Sequence, residues 1–358
     1  MSACCARCGV PAVISKTHRW ENGCIVNRAN GNANFSIYEA GFHNGLFDEL
    51  ERRLGSLIHR MVYIAGRIAA AGIAKNLFSA HPAVQKLMFR TPLYRHTQES
   101  LILFARAIGM GKIELLEHRM GKRGAVRVTN PFHLAHCTAV ILGGLDVMYG
   151  FPAAFTARAE GSSYVGELVV GKKDDVASDE AYSRLASQKL LPSNTDGKWS
   201  LPSCSRCSAP RELGELFRFD LSEGIIEERA TGDRHIFYGH QSLNAILREF
   251  ERELGPEVGD FFLQAEKDNF AAKLASVAVG AGLWNEDILR SYLALRGMGF
   301  LSRMEDEGDR TLFEVGNVFT PTVIVGRLAA LWEHVKGRHS RQTYHTEGNT
   351  LQVELTSS

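Results

Sequence analysis

Two short cysteine motifs stand 199 residues apart (204 minus 5) in this chain of 358 residues. The first reads CARCGVP and contains Cys5 and Cys8, and the second reads CSRCSAP and contains Cys204 and Cys207. A structural zinc ion takes four ligands in a tetrahedron at about 2.3 Å, and a Cys-x-x-Cys pair supplies two of them. The two motifs together predict one four-cysteine metal site, suited to zinc or, alternatively, to an iron–sulfur cluster.

Other interpretations of these cysteines stay open. Each pair could be a remnant with free thiols, or a thiol–disulfide pair, although no thioredoxin-like βαβ pattern surrounds either motif. Arg7 and Arg206 stand between the cysteines of the pairs, where they would offset the negative charge of four thiolates. In a reducing compartment, such pairs more often serve metal or redox chemistry than structural disulfides.

The cysteine motifs open two copies of a longer repeat. The segment GCIVNRANGNANFSIYEAGFHNGLFDELERRLG aligns with GIIEERATGDRHIFYGHQSLNAILREFERELG, which places Leu54 opposite Leu254. Further on, a Gly-Met-Gly at residues 109–111 aligns with one at 297–299, and Asn130 aligns with Asn317. The offset falls from 200 (255 minus 55) to 188 (297 minus 109), so the first copy holds about twelve additional residues within 76–96. Ordered blocks of this kind indicate a duplication.

Hydrophobic spacing gives each copy the same elements. We expect two short strands around a turn (19–27 and 33–38 in the first copy), then three helices, two strands, a helix opened near Pro131 or Pro321, and a final strand. In the second copy the third helix is predicted to have Asn285 as its N-cap and Ile288 on its inward face. Antiparallel strands with segregated helices predict an α+β fold, built as two tandem domains related by a pseudo-two-fold axis. The predicted boundaries are 1–170 for the first domain, 171–203 for a linker with one short helix near 179–189, and 204–358 for the second.

Composition and charge exclude several classes of protein. With 41 Lys and Arg residues against 40 Asp and Glu residues, the net charge of +1 gives no sign of nucleic-acid binding. No stretch approaches the roughly 20 apolar residues that span a bilayer. The start, MSACCARCG, lacks the charged and apolar segments of a signal peptide, so we expect a cytoplasmic chain.

The order of elements resembles the 4-vinyl-reductase-like domain. The resemblance is carried by the aligned segments above, the Gly-Met-Gly, and the Asn-x-Phe before the last helix of each copy. This family includes sensor regions of aromatic-catabolism activators, a bacteriochlorophyll-synthesis accessory protein and hydrocarbon-binding proteins. The resemblance implies a small α+β unit that holds a small apolar molecule between helices and sheet.

Many members of this family also carry a metal site near the C-terminal end of the domain, made of a cysteine and a Glu-x-x-Cys group. Cys137 and Glu160 match the first two positions here, but Ser163 replaces the next cysteine. The second copy has Ile324, Glu347 and Thr350 at these positions. We therefore do not expect that site in this chain.

Candidate ligand-binding residues lie mainly in the second copy. Tyr238 and His240 follow its second strand and could orient a hydroxyl or carbonyl group of a ligand. Four more aromatic residues at core-facing positions could line a cavity: Trp284, Tyr292, Phe319 and Trp332. Ordinary core packing is the alternative for each of these residues.

Two features of the first copy also have alternative interpretations. His133 and His136, next to Cys137, could form a metal or ligand site, or could cap and pack a helix. The apolar segment 76–96 could be a lid, a docking surface for a protein partner, or a helix extension that packs on its own domain.

The motif search finds no catalytic pattern of the Gly-x-Ser-x-Gly, Gly-x-Gly-x-x-Gly or His-Glu-x-x-His type. The sequence therefore predicts a non-catalytic binding or accessory protein for a small apolar, aromatic or tetrapyrrole-like molecule, with a structural metal held by the two cysteine motifs. A catalytic subunit such as a reductase, working on such a ligand within a larger complex, and a pure scaffold are the alternatives.

Overall fold

The two repeats share one central antiparallel sheet. A computed structural model describes residues 3–55, 57–78, 94–119, 123–149, 153–161, 163–173, 199–276 and 281–358. We call the described residues up to 173 the first half and those from 199 onward the second half. Both halves run through the same order of helices and strands.

The first half contains five helices and seven strands among its described residues. The helices are α1 (Ala12–Thr17), α2 (Ala40–Leu54), α3 (Leu57–Phe78), α4 (Tyr94–Ala107) and α5 (Leu134–Tyr149). The strands are β1 (His18–Glu21), β2 (Cys24–Asn27), β3 (Ala33–Glu39), β4 (Lys112–Arg119), β5 (Arg123–Thr129), β6 (Ala153–Glu160) and β7 (Ser163–Lys173).

The described second half repeats this set of elements. Its helices are α6 (Arg211–Leu216), α7 (His240–Leu254), α8 (Glu257–Ser276), α9 (Glu286–Leu295) and α10 (Pro321–Lys336). Its strands are β8 (Phe217–Asp220), β9 (Ile225–Glu228), β10 (Arg234–Gly239), β11 (Phe300–Asp306), β12 (Arg310–Gly316), β13 (Ser340–Glu347) and β14 (Thr350–Ser357).

Sheet topology confirms the predicted α+β class with two related copies. The central sheet has the order β1-β2-β3-β10-β9-β8, so β3 of the first half pairs with β10 of the second. In this pairing Ile37 lies opposite Phe237, Tyr38 opposite Ile236, and Ser36 opposite Tyr238. With an offset of 200 between equivalent residues, this register is symmetric about the Ile37–Phe237 pair, which marks the pseudo-two-fold axis.

The two halves interlock through their Gly-Met-Gly turns. The backbone N–H of Gly299 donates to the carbonyl of Gly23 over 3.0 Å, and that of Gly111 donates to Gly224 over 2.9 Å. A Cβ atom on Gly23 would lie 2.2 Å from the carbonyl carbon of Gly299. Only glycine permits this approach, so the strands β1 to β3 of the first half pack on the C-terminal part of the second half, and the reverse holds for β8 to β10.

Each half also has its own four-stranded antiparallel sheet, in the orders β4-β5-β7-β6 and β11-β12-β14-β13. Helices α3 and α5 pack together in the first half, as α8 and α10 do in the second. An ion pair joins them at equivalent positions, buried in the first half and half-buried in the second: Arg67 Nε contacts Asp146 Oδ2 at 2.6 Å, and Lys267 Nζ contacts Glu333 Oε1 at 2.6 Å. These pairs support the alignment of the two halves, because equivalent residues stand 200 positions apart on α3 and α8 and 187 positions apart on α5 and α10.

Several local predictions were wrong for identifiable reasons. The single strand expected over 19–27 is two strands, because Asn22 (φ 44°) and Gly23 (φ 75°) form a turn. The expected final strand of each half is a two-stranded hairpin. Helix α5 begins at Leu134 rather than at Pro131, whereas α10 begins at Pro321 as predicted.

Helix α9 illustrates one confirmed and one wrong prediction. The side chain of Asn285 accepts hydrogen bonds from the backbone N–H groups of Asp287 and Ile288, so it is the predicted N-cap. Ile288 was expected to face inward, yet it is 48% exposed. The segment 79–93 of the predicted insertion and the helix near 179–189 lie outside the described residues, and the domain boundaries stay predictions.

Candidate metal centre and apolar cavity

The four predicted metal ligands lie together at the interface of the two halves. The sulfur atoms of Cys5, Cys8, Cys204 and Cys207 all lie within 4.8 Å of one another. The Sγ–Sγ distance is 4.0 Å between Cys5 and Cys204 and 3.4 Å between Cys8 and Cys207. Tetrahedral thiolates at about 2.3 Å from zinc stand about 3.8 Å apart, so this group could hold a metal ion.

Backbone hydrogen bonds shape each cysteine loop. Cys5 N–H donates to the carbonyl of Val10 over 2.9 Å, and Cys204 N–H donates to Ala209 over 2.8 Å. Helix α6 then meets the first loop directly, since a Cβ atom on Gly214 would lie 1.6 Å from the carbonyl oxygen of Cys8. The site therefore includes a close contact between the halves as well as the four thiols.

The four cysteines form two pairs that differ in the pKa of their thiols. The backbone N–H of Arg206 lowers the pKa of Cys204 to about 6, and that of Arg7 lowers the pKa of Cys5. Burial raises the pKa values of Cys8 and Cys207. A bound divalent ion would favour the thiolate form of all four.

Two other cysteines have a packing role in the described residues. Burial raises the pKa of Cys24 to about 12 and that of Cys137 to about 11. The Sγ atom of Cys137 donates to the carbonyl oxygen of Met110 over 3.1 Å. Cys137 is therefore a buried thiol here, consistent with the incomplete family pattern around it.

An apolar cavity of about 140 Å³ lies in the first half. Helices α3, α4 and α5 and the sheet β4-β5-β7-β6 form most of its wall, and the second half closes one side with Phe237, Tyr238 and Ser242. Most of the remaining wall is aliphatic or aromatic, and includes Phe35, Ala74, Leu101, Phe104, Met110, Phe132, Val140, Gly144 and Leu145. Residues from both repeats are thus needed to complete the cavity.

A few polar groups reach this cavity. Tyr238 Oη lies 3.3 Å from Nδ1 of His136, and the ring of His43 lies 4.6 Å from that of Tyr238. Burial lowers the pKa values of His136 and His43 well below their usual value and raises that of Tyr238, so all three are neutral at physiological pH. Gln98 is 6% exposed, and its Oε1 has no hydrogen-bond partner in the described structure.

The equivalent region of the second half is filled by larger side chains. Where the first half has Ala74, Val126, Val140, Gly144 and Leu145, the second has Leu274, Phe313, Arg327, Leu331 and Trp332. All of these second-half residues are buried. The two halves share a fold, but the side chains at these five positions are larger in the second half.

The six predicted ligand-binding residues do not lie together. Tyr238 lines the first-half cavity, while His240 packs on Phe319 with ring centroids 4.3 Å apart. Trp332 donates to Thr311 within the second-half core, and Trp284 donates to Asp306 near the surface. The hydroxyl of Tyr292 accepts a hydrogen bond from Arg327.

The sequence analysis did not identify two polar residues of the cavity as ligand-binding residues. Gln98 was not singled out, and His136 was considered with His133, whose Nδ1 accepts a hydrogen bond from the backbone N–H of His136. The signal that could have found the cavity is the row of small residues in the first copy, such as Ala74 and Gly144, opposite larger residues in the second.

Comparison with known proteins gives little further information. No family model matches the chain, and no curated protein matches it. A solved structure, the phenol-responsive sensory domain of the transcription activator PoxR with phenol, matches with 14% identity over 40% of this chain and 87% of that chain, at a TM-score of 0.33. Within the described ranges, no helix has the length and apolar character needed to cross a membrane.

Proposed function

We propose that this chain is a non-catalytic binding protein for a small, mainly apolar molecule of about one aromatic ring, with a zinc ion joining its two halves. The observation that carries the proposal is the first-half cavity of about 140 Å³ with its apolar wall. Gln98 and the Tyr238–His136 pair add polar groups to this wall, and these groups would orient the ligand.

The volume of the cavity supports a single-ring ligand. An engineered apolar cavity of about 150 Å³ in another protein stays free of water and binds benzene. A tetrapyrrole is several times larger than such a space. An apolar ligand that covers this wall would gain about 25 cal/mol for each Å² of apolar surface removed from water.

The polar groups favour a ligand that donates one hydrogen bond. Gln98 Oε1 is a buried acceptor without a partner in the described structure, and a hydroxyl group on the ligand would supply the missing donor. The Tyr238–His136 pair offers a second polar contact across the cavity. A ring with one hydroxyl group meets both requirements.

The spacing of the four cysteines favours a single ion over an iron–sulfur cluster. A cluster must place several iron and sulfide atoms between the thiolates, whereas these sulfur atoms lie within 4.8 Å of one another. A zinc ion there would act as a cross-link between the halves, since each half contributes two ligands.

The ligand proposal can be tested with p-cresol and toluene, which differ by one hydroxyl group. We expect native mass spectrometry or a thermal shift of the full chain to report binding of both probes, with p-cresol the tighter. Replacing the free acceptor in Gln98→Leu should remove the preference for p-cresol while toluene binding persists. Absence of binding by either probe at millimolar concentration would refute the proposal.

A further inference from the structure

A second cleft, of about 520 Å³, opens on the outer side of the second half between α6, α8 and α9. Leu216 and Ile288, which line it, are 37% and 48% exposed. Additional apolar wall comes from Phe270, Leu274, Leu283 and Leu295. The cleft thus combines an apolar wall with access from solvent.

Three charged side chains form the inner end of the cleft. Lys273 Nζ donates to Glu228 Oε2 over 2.8 Å and to Glu39 Oε1 over 3.0 Å. Arg296 Nη2 donates to Glu228 Oε1 over 3.0 Å. The single carboxylate of Glu228 therefore serves two cations at the same point of the cleft.

Arg296 is held rigidly and keeps an unused donor. Its guanidinium lies 4.0 Å from the ring centroid of Tyr292 and 5.5 Å from that of Phe217. The residue is 2% exposed, and its Nε has no hydrogen-bond partner within the described residues. A buried cationic N–H without an acceptor is costly, so an incoming oxygen atom at this position would be favourable.

Both cations and carboxylates surround the inner end, so the unused N–H of Arg296 is the feature that favours an acceptor there. Behind the cleft, Arg327 pairs with Glu39 and Glu266. Burial raises the pKa of Glu266 to about 8, although its ion pair with Arg327 acts in the opposite direction. Towards solvent, Asp233 lies 3.7 Å from Lys273, Glu212 lines the mouth, and Asp287 pairs with Arg290.

The first half does not share this charged group. Ile108 stands at the position equivalent to Arg296, and Asn27 at the position of Glu228. A requirement of the common fold would appear in both halves, so the charged inner end, to which Glu39 of the first half also contributes through Lys273, is not such a requirement.

We propose that this cleft binds a small amphipathic carboxylate. The apolar body of the ligand lies against Leu216, Leu274 and Ile288, and its carboxylate accepts hydrogen bonds from Arg296 and Lys273. This site is separate from the first-half cavity. It favours a ligand with a negatively charged group, whereas the apolar first-half cavity favours an uncharged ligand.

The test compares octanoate with 1-octanol on the full chain by isothermal titration calorimetry. We expect octanoate to bind at least about tenfold more tightly than octanol. Arg296→Lys keeps the charge beside Glu228 but removes the Nε donor, and should weaken octanoate at least about tenfold with little effect on octanol. Ser291→Trp, which fills the cleft, should abolish binding of octanoate.

Gly144→Leu, which fills the first-half cavity, is the matched control and should leave octanoate binding unchanged. Three results would overturn the proposal: no octanoate binding at millimolar concentration, equal binding of octanol and octanoate, or loss of octanoate binding in Gly144→Leu. Thermal unfolding of each variant checks that it is folded, and Ser291→Trp provides an independent test if Arg296→Lys is unstable.

Discussion

Filling the first-half cavity from α5 should stabilise the protein and abolish ligand binding together. Gly144 lies within this helix and lines the cavity, and a Cβ atom there would meet nothing within 4 Å. The equivalent residue of the second half is Leu331, which is buried. The variant Gly144→Leu therefore gives the first half a side chain that the same fold already accommodates in the second.

The expected gain in the free energy of unfolding is about 3 kcal/mol. Leucine adds three carbon atoms beyond alanine, each worth about 0.8 kcal/mol when buried. Replacing glycine within a helix adds up to about 1 kcal/mol.

Gly144→Ala separates the two contributions. It removes the helical glycine but adds only one methyl group to the cavity, so we expect about 1 to 2 kcal/mol of stabilisation and retained binding of toluene. Urea unfolding measures stability, and the thermal shift at a toluene concentration of 100 Kd, worth about 2.7 kcal/mol in the wild type, measures binding. A Gly144→Leu variant that is less stable than Gly144→Ala, or that still binds toluene, would refute the reasoning.

Three other predictions concern the metal, the buried histidines and the helix–helix ion pairs. Cys8→Ser should lower bound zinc from one equivalent per chain to less than half and lower the melting temperature, whereas Cys4→Ser, outside the cluster, should keep one equivalent; metal analysis decides, and equal zinc in both variants would contradict the site. His136 stays neutral when folded but takes up a proton when unfolded below pH 6.5, so its contribution to stability is present above that pH and is lost on acidification. Urea unfolding from pH 7.5 to 5 should therefore show a slope for His136→Val that is smaller by up to about 1.4 kcal/mol per pH unit below pH 6.5, and identical slopes would exclude this role. Arg67→Met removes the ion pair of the buried Asp146 with Arg67 and should cost about 3–5 kcal/mol, more than Lys267→Met, whose pair is more exposed; the opposite order in urea unfolding would be inconsistent with the burial of these pairs.

The sequence was sufficient to predict the repeat, the α+β class and the meeting of the four cysteines, because all three follow from the alignment of one half with the other. The sequence alone could not predict how the two halves interlock. Gly23 and Gly224 are equivalent residues, and the contact of each with a Gly-Met-Gly turn is the same whether that turn belongs to its own repeat or to the other. Only the three-dimensional path of the chain distinguishes these arrangements.

The positions of aromatic residues in the sequence also did not predict where the cavity lies. Trp332 was conspicuous in the second copy, but a large buried ring fills a core, and the first half has the smaller Leu145 at the equivalent position. A cavity is indicated by small residues at positions that face the core. Gly144 and Ala74 are informative because the equivalent residues of the second half are Leu331 and Leu274. A duplicated chain provides this comparison internally.

The interlocked arrangement explains why a half without an equivalent cavity would be retained. The second half supplies Phe237, Tyr238 and Ser242 to the wall of the first-half cavity, so its loss would open that cavity to solvent. Its own filled core contributes the packing that the first half gives up by leaving about 140 Å³ empty. A metal held by two cysteines from each half would keep the strands that complete the cavity in place, and this would link the cysteine cluster to the proposed binding role.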